Sequence, residues 1–479
     1  MGLSRHKEQR HLLEKDKILF MISKNKLEAI LSVALKKGGE WADIFIEETV
    51  KNNAQLSDKK IKNVSRQHLT GAGLRVVSQL KEFYAYTNDL TESGLIKASL
   101  ALADAVSRQV SSQKINLEEV VNNIHRQPQK SFDQIAWDKR VELLKRADIL
   151  CRDVSSQITQ VSASYMDETQ KVWIANSNGL FKNDERHRCR LSISAIASDG
   201  PEKQVGYEAP GAFKGYEFFE NLELEPLCRQ TSERAVRMLT AAYAPQGKMP
   251  VIIDSGFGGV IFHEACGHSL EASAVAKKAT VFADKLGQKI ASPLVSAVDD
   301  ATLESEWGSA ALDDEGSVTR KNVLIENGVL KSYLVDRLNG ERIGQASTGS
   351  SRRQSYQYSP TSRMNNTFIL PGAHTLSQMI AETDYGLYAK KLGGGSVNPI
   401  TGEFNFAVTE GYVIRNGCIA ELVRGAVLIG RGDEVLMKID RVGNELQLAQ
   451  GVCGAASGWV PVDVGQPAIR VSEILVGGR

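Results

Sequence analysis

The chain is poor in cysteine, poor in histidine and almost without net charge. Six cysteines over 479 residues are too sparse for a disulfide scaffold, so they read as reduced thiols. Lys+Arg number 58 against 57 Asp+Glu, a formal net charge of +1. That balance excludes global steering to nucleic acid or to an anionic membrane. Long apolar runs are missing too. None approaches the ~20 residues that span a bilayer, and Ile18 to Ile22 is too short for a signal-peptide core. The missing export signal sets the expectation of a cytoplasmic protein. What is present is ordinary globular material, 42% hydrophobic and 24% charged, which argues against disorder. The length calls for more than one domain, since single cores stop growing near ~250–300 residues.

Residues 1–20 are polar and basic, with Arg5, Lys7, Arg10, Lys15 and Lys17. Lacking apolar periodicity, they are expected to be a disordered extension, and Met21 is an alternative start. Ser23 then offers an N-cap. Leu27, Ile30, Leu31, Ala34 and Leu35 follow on one helical face. Strand-like runs cover 42–50, 72–78 and 83–87, a helix 95–106, and a second helix is capped by Asp138. Leu191, Ile193 and Ala195 alternate as a half-buried strand should. Residues 233–242 close the region as a helix. The interleaving has no βαβ rhythm and predicts an α+β fold with antiparallel strands over residues 21–245. Two prolines and a glycine in Tyr243 to Pro250 mark the boundary. Residues 246–479 are expected to be a β-rich domain with one distorted helix, since Asn327-Gly328 and Asn416-Gly417 each sit between apolar runs as hairpin turns do.

That helix is predicted over 260–276 and contains His263-Glu264-Ala265-Cys266-Gly267-His268. A hydrolytic metal site needs neutral imidazoles, a carboxylate near the bound water and an open coordination position. In a regular helix, positions i and i+5 point about 140° apart. The two histidines can share an ion only if the turn widens to a π-type bulge, which Gly267 eases. Two histidines in an apolar helix can equally be satisfied core groups. Glu264 favours the metal, because a carboxylate is rarely buried in such a helix without a task. Glu271, three residues beyond His268, is a candidate for a third ligand or an outer hydrogen-bond partner, and Cys453, among small neighbours, is the other candidate for the third ligand. Cys266 reads as a packing residue.

The string H-E-A-C-G-H-S-L-E-A resembles the signature of the TldD/PmbA metallopeptidase family, in its catalytic TldD branch. The likeness continues through Leu312 to Gly316, Val323 to Gly328, Ser351 to Tyr356, Arg363 to Thr367, Gly393 to Gly395 and Val462 to Pro467. It is weaker at Gly73 to Val76 and Gly215 to Phe219. It implies a zinc peptidase with His263, His268 and Cys453 as ligands, Glu264 as general base and Glu271 in the outer shell. It also implies a homodimer, or a heterodimer with a paralogue lacking the motif, enclosing a cavity for extended or unfolded peptides. Arg352, Arg353 and Tyr356 are expected near substrate or in the outer shell, the arginines as forks for a carboxylate.

Other features are weighed more simply. Gly393 to Gly395 is expected to be a loop with positive φ angles. Asp313-Asp314-Glu315 is expected to be a turn network, with a second metal as the alternative. Gly256 to Gly259 lacks the Lys-Ser/Thr of a phosphate loop, which excludes a nucleotide there. The competing function is a non-catalytic regulatory or binding protein with a structural metal. Glu264 discriminates the two, since a closed structural site needs no water-activating carboxylate.

Overall fold

The computed structural model describes residues 23–106, 114–119, 128–398 and 400–478. The basic extension 1–20 lies outside the described residues.

The first helix, α1 (Lys24–Leu35), buries the five apolar residues that its 3.6-residue spacing lines up. Ser23 makes no side-chain cap. The strands that follow are longer than the apolar runs suggest: β1 (Trp41–Ser57), β2 (Lys60–Ser78) and β3 (Lys81–Thr87). After α2 (Glu92–Val106) and α3 (Trp137–Arg152) come β4 (Ile158–Asn176), β5 (Leu180–Ser198) and β6 (Lys203–Glu208). The sheet runs β3-β2-β1-β4-β5-β6, antiparallel throughout these pairings. α4 spans Leu224–Met238, earlier than expected because its buried stripe includes Cys228, Thr231 and Arg234, which an apolar count passes over. Helix α3 begins beyond Ala136, not at an Asp138 cap.

Strand alternation divides this sheet into two working faces. Ala42, Ile44 and Ile46 pack with α1 and α2. Asp43, Phe45 and Glu47 point the other way, and so do Arg75, Gln170, Arg186 and Arg188 by register. That second face carries charge because it meets the C-terminal half.

The C-terminal half holds β7 (Gly247–Ile253), β8 (Ala297–Asp300), β9 (Lys321–Glu326), β10 (Asn366–Ile369), β11 (Tyr385–Val397), β12 (Glu403–Arg415), β13 (Val427–Arg431), β14 (Gln447–Ala455), β15 (Gly458–Gln466) and β16 (Ile469–Gly477). Strands β11-β7-β16-β13-β12 form a closed ring, because β12 pairs back to β11. A second sheet runs β9-β8-β10-β15-β14. Both Asn-Gly turns are present, with φ of 49° and 82° at Asn327-Gly328 and 48° and 73° at Asn416-Gly417, the left-handed pair that such hairpins need.

Gly393 to Gly395 corrects the loop expectation. They lie inside β11, and none has a positive φ. Close approach accounts for Gly393 and Gly395, where a Cβ would overlap Thr409 and Asn405 O with Phe406, while a Cβ on Gly394 would meet nothing.

Asp313-Asp314-Glu315 is a hydrogen-bond network joining the two halves. Arg75 reaches Glu315 at 2.6 Å, and Arg186 reaches Asp314 at 2.7 Å. Asp313 accepts the backbone N–H groups of Glu315, Ser317 and Ser351.

Candidate metal centre

β7 leads through Ser255 to Gly259 into the motif. A Cβ on Gly259 would stand 2.5 Å from the Gly465 backbone, so only glycine lets this turn seat on β15. The predicted helix then breaks into short pieces: one α turn over Val260–Phe262, a π turn over His263–Gly267, a 3-10 turn over His268–Leu270 and a last turn over Ala272–Val275. The His268 N–H donates to the His263 carbonyl five residues back, which is the widening the spacing requires. The imidazole rings lie 5.1 Å apart at 84°. Gly267 has an ordinary helical φ of −53°. It is glycine for a different reason than backbone freedom, since a Cβ there would overlap Met364 Sδ.

Cys453 meets the two histidines from β14. Its Sγ is 3.3 Å from His263 Nε2 and 3.1 Å from His268 Nε2. The three ligand-type atoms lie within 4.8 Å of one another. Burial opposes ionisation of Cys453, but His263 and then His268 outweigh it and bring the thiol down to about 4. Burial likewise opposes charge on His268, and Glu271 and Cys453 raise it well above the ordinary imidazole range. Both shifts favour a thiolate beside an imidazolium. A cation held by the same atoms takes the place of that proton.

Glu271 Oε1 stands 3.2 Å from His268 Nδ1, leaving Nε2 turned to the cluster. Glu264 Oε2 lies 3.7 Å from His268 Nε2, and its side chain is 29% exposed, so the carboxylate borders solvent while His263 is buried. Cys266 is fully buried in the apolar core of this half, where burial pushes its thiol up. That position excludes it from the cluster.

Arg352, Arg353 and Tyr356 are not brought to the cluster. Arg353 donates to Tyr84 Oη and Asp314 O, and it lies 4.4 Å over the Phe45 ring. Tyr356 packs with Phe45, Val172 and Ile174, and its N–H donates to Glu47 Oε2. Both tie the halves together. Arg352 donates from Nη1 to Met364 O.

Sequence reasoning missed the role of Arg363. This fully buried arginine donates to Cys453 O at 2.7 Å, to Ser457 Oγ and to Gly458 O, and its Nε lies 3.7 Å from Glu271. It braces the β14–β15 hairpin that presents the thiol. A lone arginine in Ser-Arg-Met-Asn-Asn carries no local partner that would have announced this.

Three family models cover most of the chain: PmbA/TldA metallopeptidase domain 1 over residues 42–110, its central domain over 130–239 and its C-terminal domain over 246–478. The chain belongs to the PmbA/TldD family. A metalloprotease TldD homolog of Haemophilus influenzae is 35% identical over 95% of this chain and 97% of its own length. A zinc metalloprotease TldD homolog of Saccharolobus solfataricus is 26% identical over 92% and 97%. The fold is that of TldE from Thermococcus kodakarensis, with a TM-score of 0.75 at 20% identity over 95% of this chain and all of that one. Within the PmbA/TldD family, then, this member carries a His-His-Cys cluster able to hold a metal.

Proposed function

We propose that the protein is a zinc-dependent peptidase acting on short or unfolded peptides. The convergence of His263, His268 and Cys453 beside the Glu264 carboxylate carries this reading. One thiolate and two imidazoles suit zinc and leave a fourth position free. When bound there, zinc supplies an acidified water and polarises a carbonyl.

The chain's own residues do the rest. Glu264 accepts the proton of the attacking water and passes it to the leaving amine. Glu271 holds the tautomer and orientation of His268. Arg363 holds the strand that carries Cys453. Exposures of 2% at His263 and 7% at Cys453 favour an extended chain over a folded protein as substrate. On the same reading the active unit is a dimer, with a second copy or with a paralogue lacking the motif.

The test is metal analysis of the purified protein together with cleavage of an unstructured peptide. Stoichiometric zinc and loss of turnover in Glu264→Ala are expected. Equal turnover in that variant, or no stoichiometric metal, overturns the reading and favours a binding protein.

A further inference from the structure

Two arginines break the charge pattern of the interior. Arg188 and Arg352 are 4% and 6% exposed, yet among the described residues neither has a carboxylate within salt-bridge distance. Every other arginine buried to that degree has one. Arg188 donates to the carbonyls of Trp307 and Ser309 and lies over Phe213. Among the described residues the Arg352 guanidinium makes a single hydrogen bond, to Met364 O. The nearby carboxylates serve other groups, Glu168 pairing with Lys51 and Asp184 with Arg186. Asp314 serves Arg186 and the Arg353 N–H. Asp299 accepts from Asn365 and Thr367, and burial raises its pKa.

Burial lowers both guanidiniums. Arg352 falls to about 9 with Arg188 as the next cause, and Arg188 to about 10 with Arg186 as the next. An unpaired buried charge is costly, and two side by side cost more. Both side chains line one cavity of about 310 Å³ between the charged face of the N-terminal sheet and the C-terminal half. Gln354, Trp307, Val452 and Trp459 line it too. Val452 precedes Cys453, and successive strand residues point to opposite faces. The cavity therefore backs onto the metal centre across one strand.

We propose that this cavity binds a carboxylate of the peptide substrate, with Arg188 and Arg352 as its paired donors. The identity of the ligand rests on the peptidase reading. The cavity's own acids, Glu47, Glu168, Asp313 and Asp314, make no salt bridge to either arginine among the described residues. Guanidinium forks match the two oxygens of a carboxylate, and the ligand supplies that direct partner. The site anchors a part of the peptide remote from the scissile bond, because one strand separates it from Glu264.

The experiment uses the full, metal-loaded chain carrying Glu264→Gln, so that binding is read without turnover. The probes are an unstructured peptide without acidic side chains as its free acid, the same peptide as its C-terminal amide, an amide carrying one internal Glu, and inorganic phosphate alone. Tryptophan fluorescence reports binding through Trp307 and Trp459, and thermal melting gives an independent readout. The free acid or the Glu-bearing amide is expected to bind at least about tenfold more tightly than the plain amide. Whichever does so assigns the chain terminus or a side chain as the source. Arg352→Gln and Arg188→Gln should each abolish the difference. If a variant fails to fold, a rise in melting temperature of the Glu264→Gln chain with the acid but not the amide still supports the site. Equal affinity for all three peptides overturns it, as does phosphate alone reproducing the effect at equal concentration. Cleavage of the plain amide by the wild-type protein reads the peptidase proposal separately.

Discussion

Among the buried polar clusters of the described residues, two differ in how their charges are answered. At Asp313-Asp314-Glu315 every carboxylate meets a guanidinium or backbone N–H groups drawn from several segments. At His263-Glu264-His268-Cys453 the polar atoms converge on one another. His263 Nδ1 is buried without a hydrogen-bond partner among the described residues, and Glu264 is turned toward solvent. The first arrangement holds two bodies together. The second leaves a point in space for something else. Satisfaction, not acidity, separates a structural cluster from a chemical one.

The sharpest way to break this comparison is Glu264→Gln. It should lower peptide turnover by about 10²–10⁴-fold while metal content and melting temperature stay unchanged. Asp314→Ala should do the reverse. It removes the acceptor of Arg186 Nη1 and of the Arg353 N–H, so denaturant unfolding should show a loss of about 3 kcal/mol or more. Metal content per folded molecule should hold. If Asp314→Ala stripped the metal first, the two clusters would be one unit and the contrast would fail.

A finer test is Glu271→Gln. The amide can still meet His268 Nδ1, but without the charge that faces it at 3.2 Å. Competition with a chelator should then show metal affinity lower by about 10–100-fold, with the fold intact. An unchanged affinity would reduce Glu271 to packing.

How much of this was legible depended on the range of the signal. The five buried residues of α1 and both Asn-Gly hairpins are local, and periodicity or turn chemistry reads them. The π turn was readable too, because a five-residue histidine spacing has few geometric solutions on a helix. Cys453 was not. It meets His268 across 185 residues, and spacing alone left it level with Glu271 until the family resemblance was used. Gly393 to Gly395 was misread because glycine signals close approach as well as positive φ, and only the packed neighbour tells which. Arg353 and Tyr356 face β1, far away in sequence, so their junction role appears only when the two halves meet.

The smallest effect expected comes from Asp463, on the strand that pairs with the Cys453 strand. Burial raises its carboxyl to about 7, against the Gly308 N–H, which favours the charged form. Among the described residues its Oδ1 has no hydrogen-bond partner. The unfolded chain releases this proton near 3.8, while the folded chain holds it until about 7. Between those values the unfolded state binds fewer protons, so stability falls as pH rises and levels off above about 7. Asp463→Asn removes the titration. Unfolding curves of the variant should fall less steeply than those of wild type between pH 4 and 7 and show a gain of at least about 1 kcal/mol over wild type at pH 8. At the junction burial also raises Asp313 and Glu315, which add a downward slope of their own, so Asp463 is read from the difference between the variant and wild-type curves. Variant and wild-type curves of equal slope from pH 4 to 7, with no gain at pH 8, would remove Asp463 as the source of the titration.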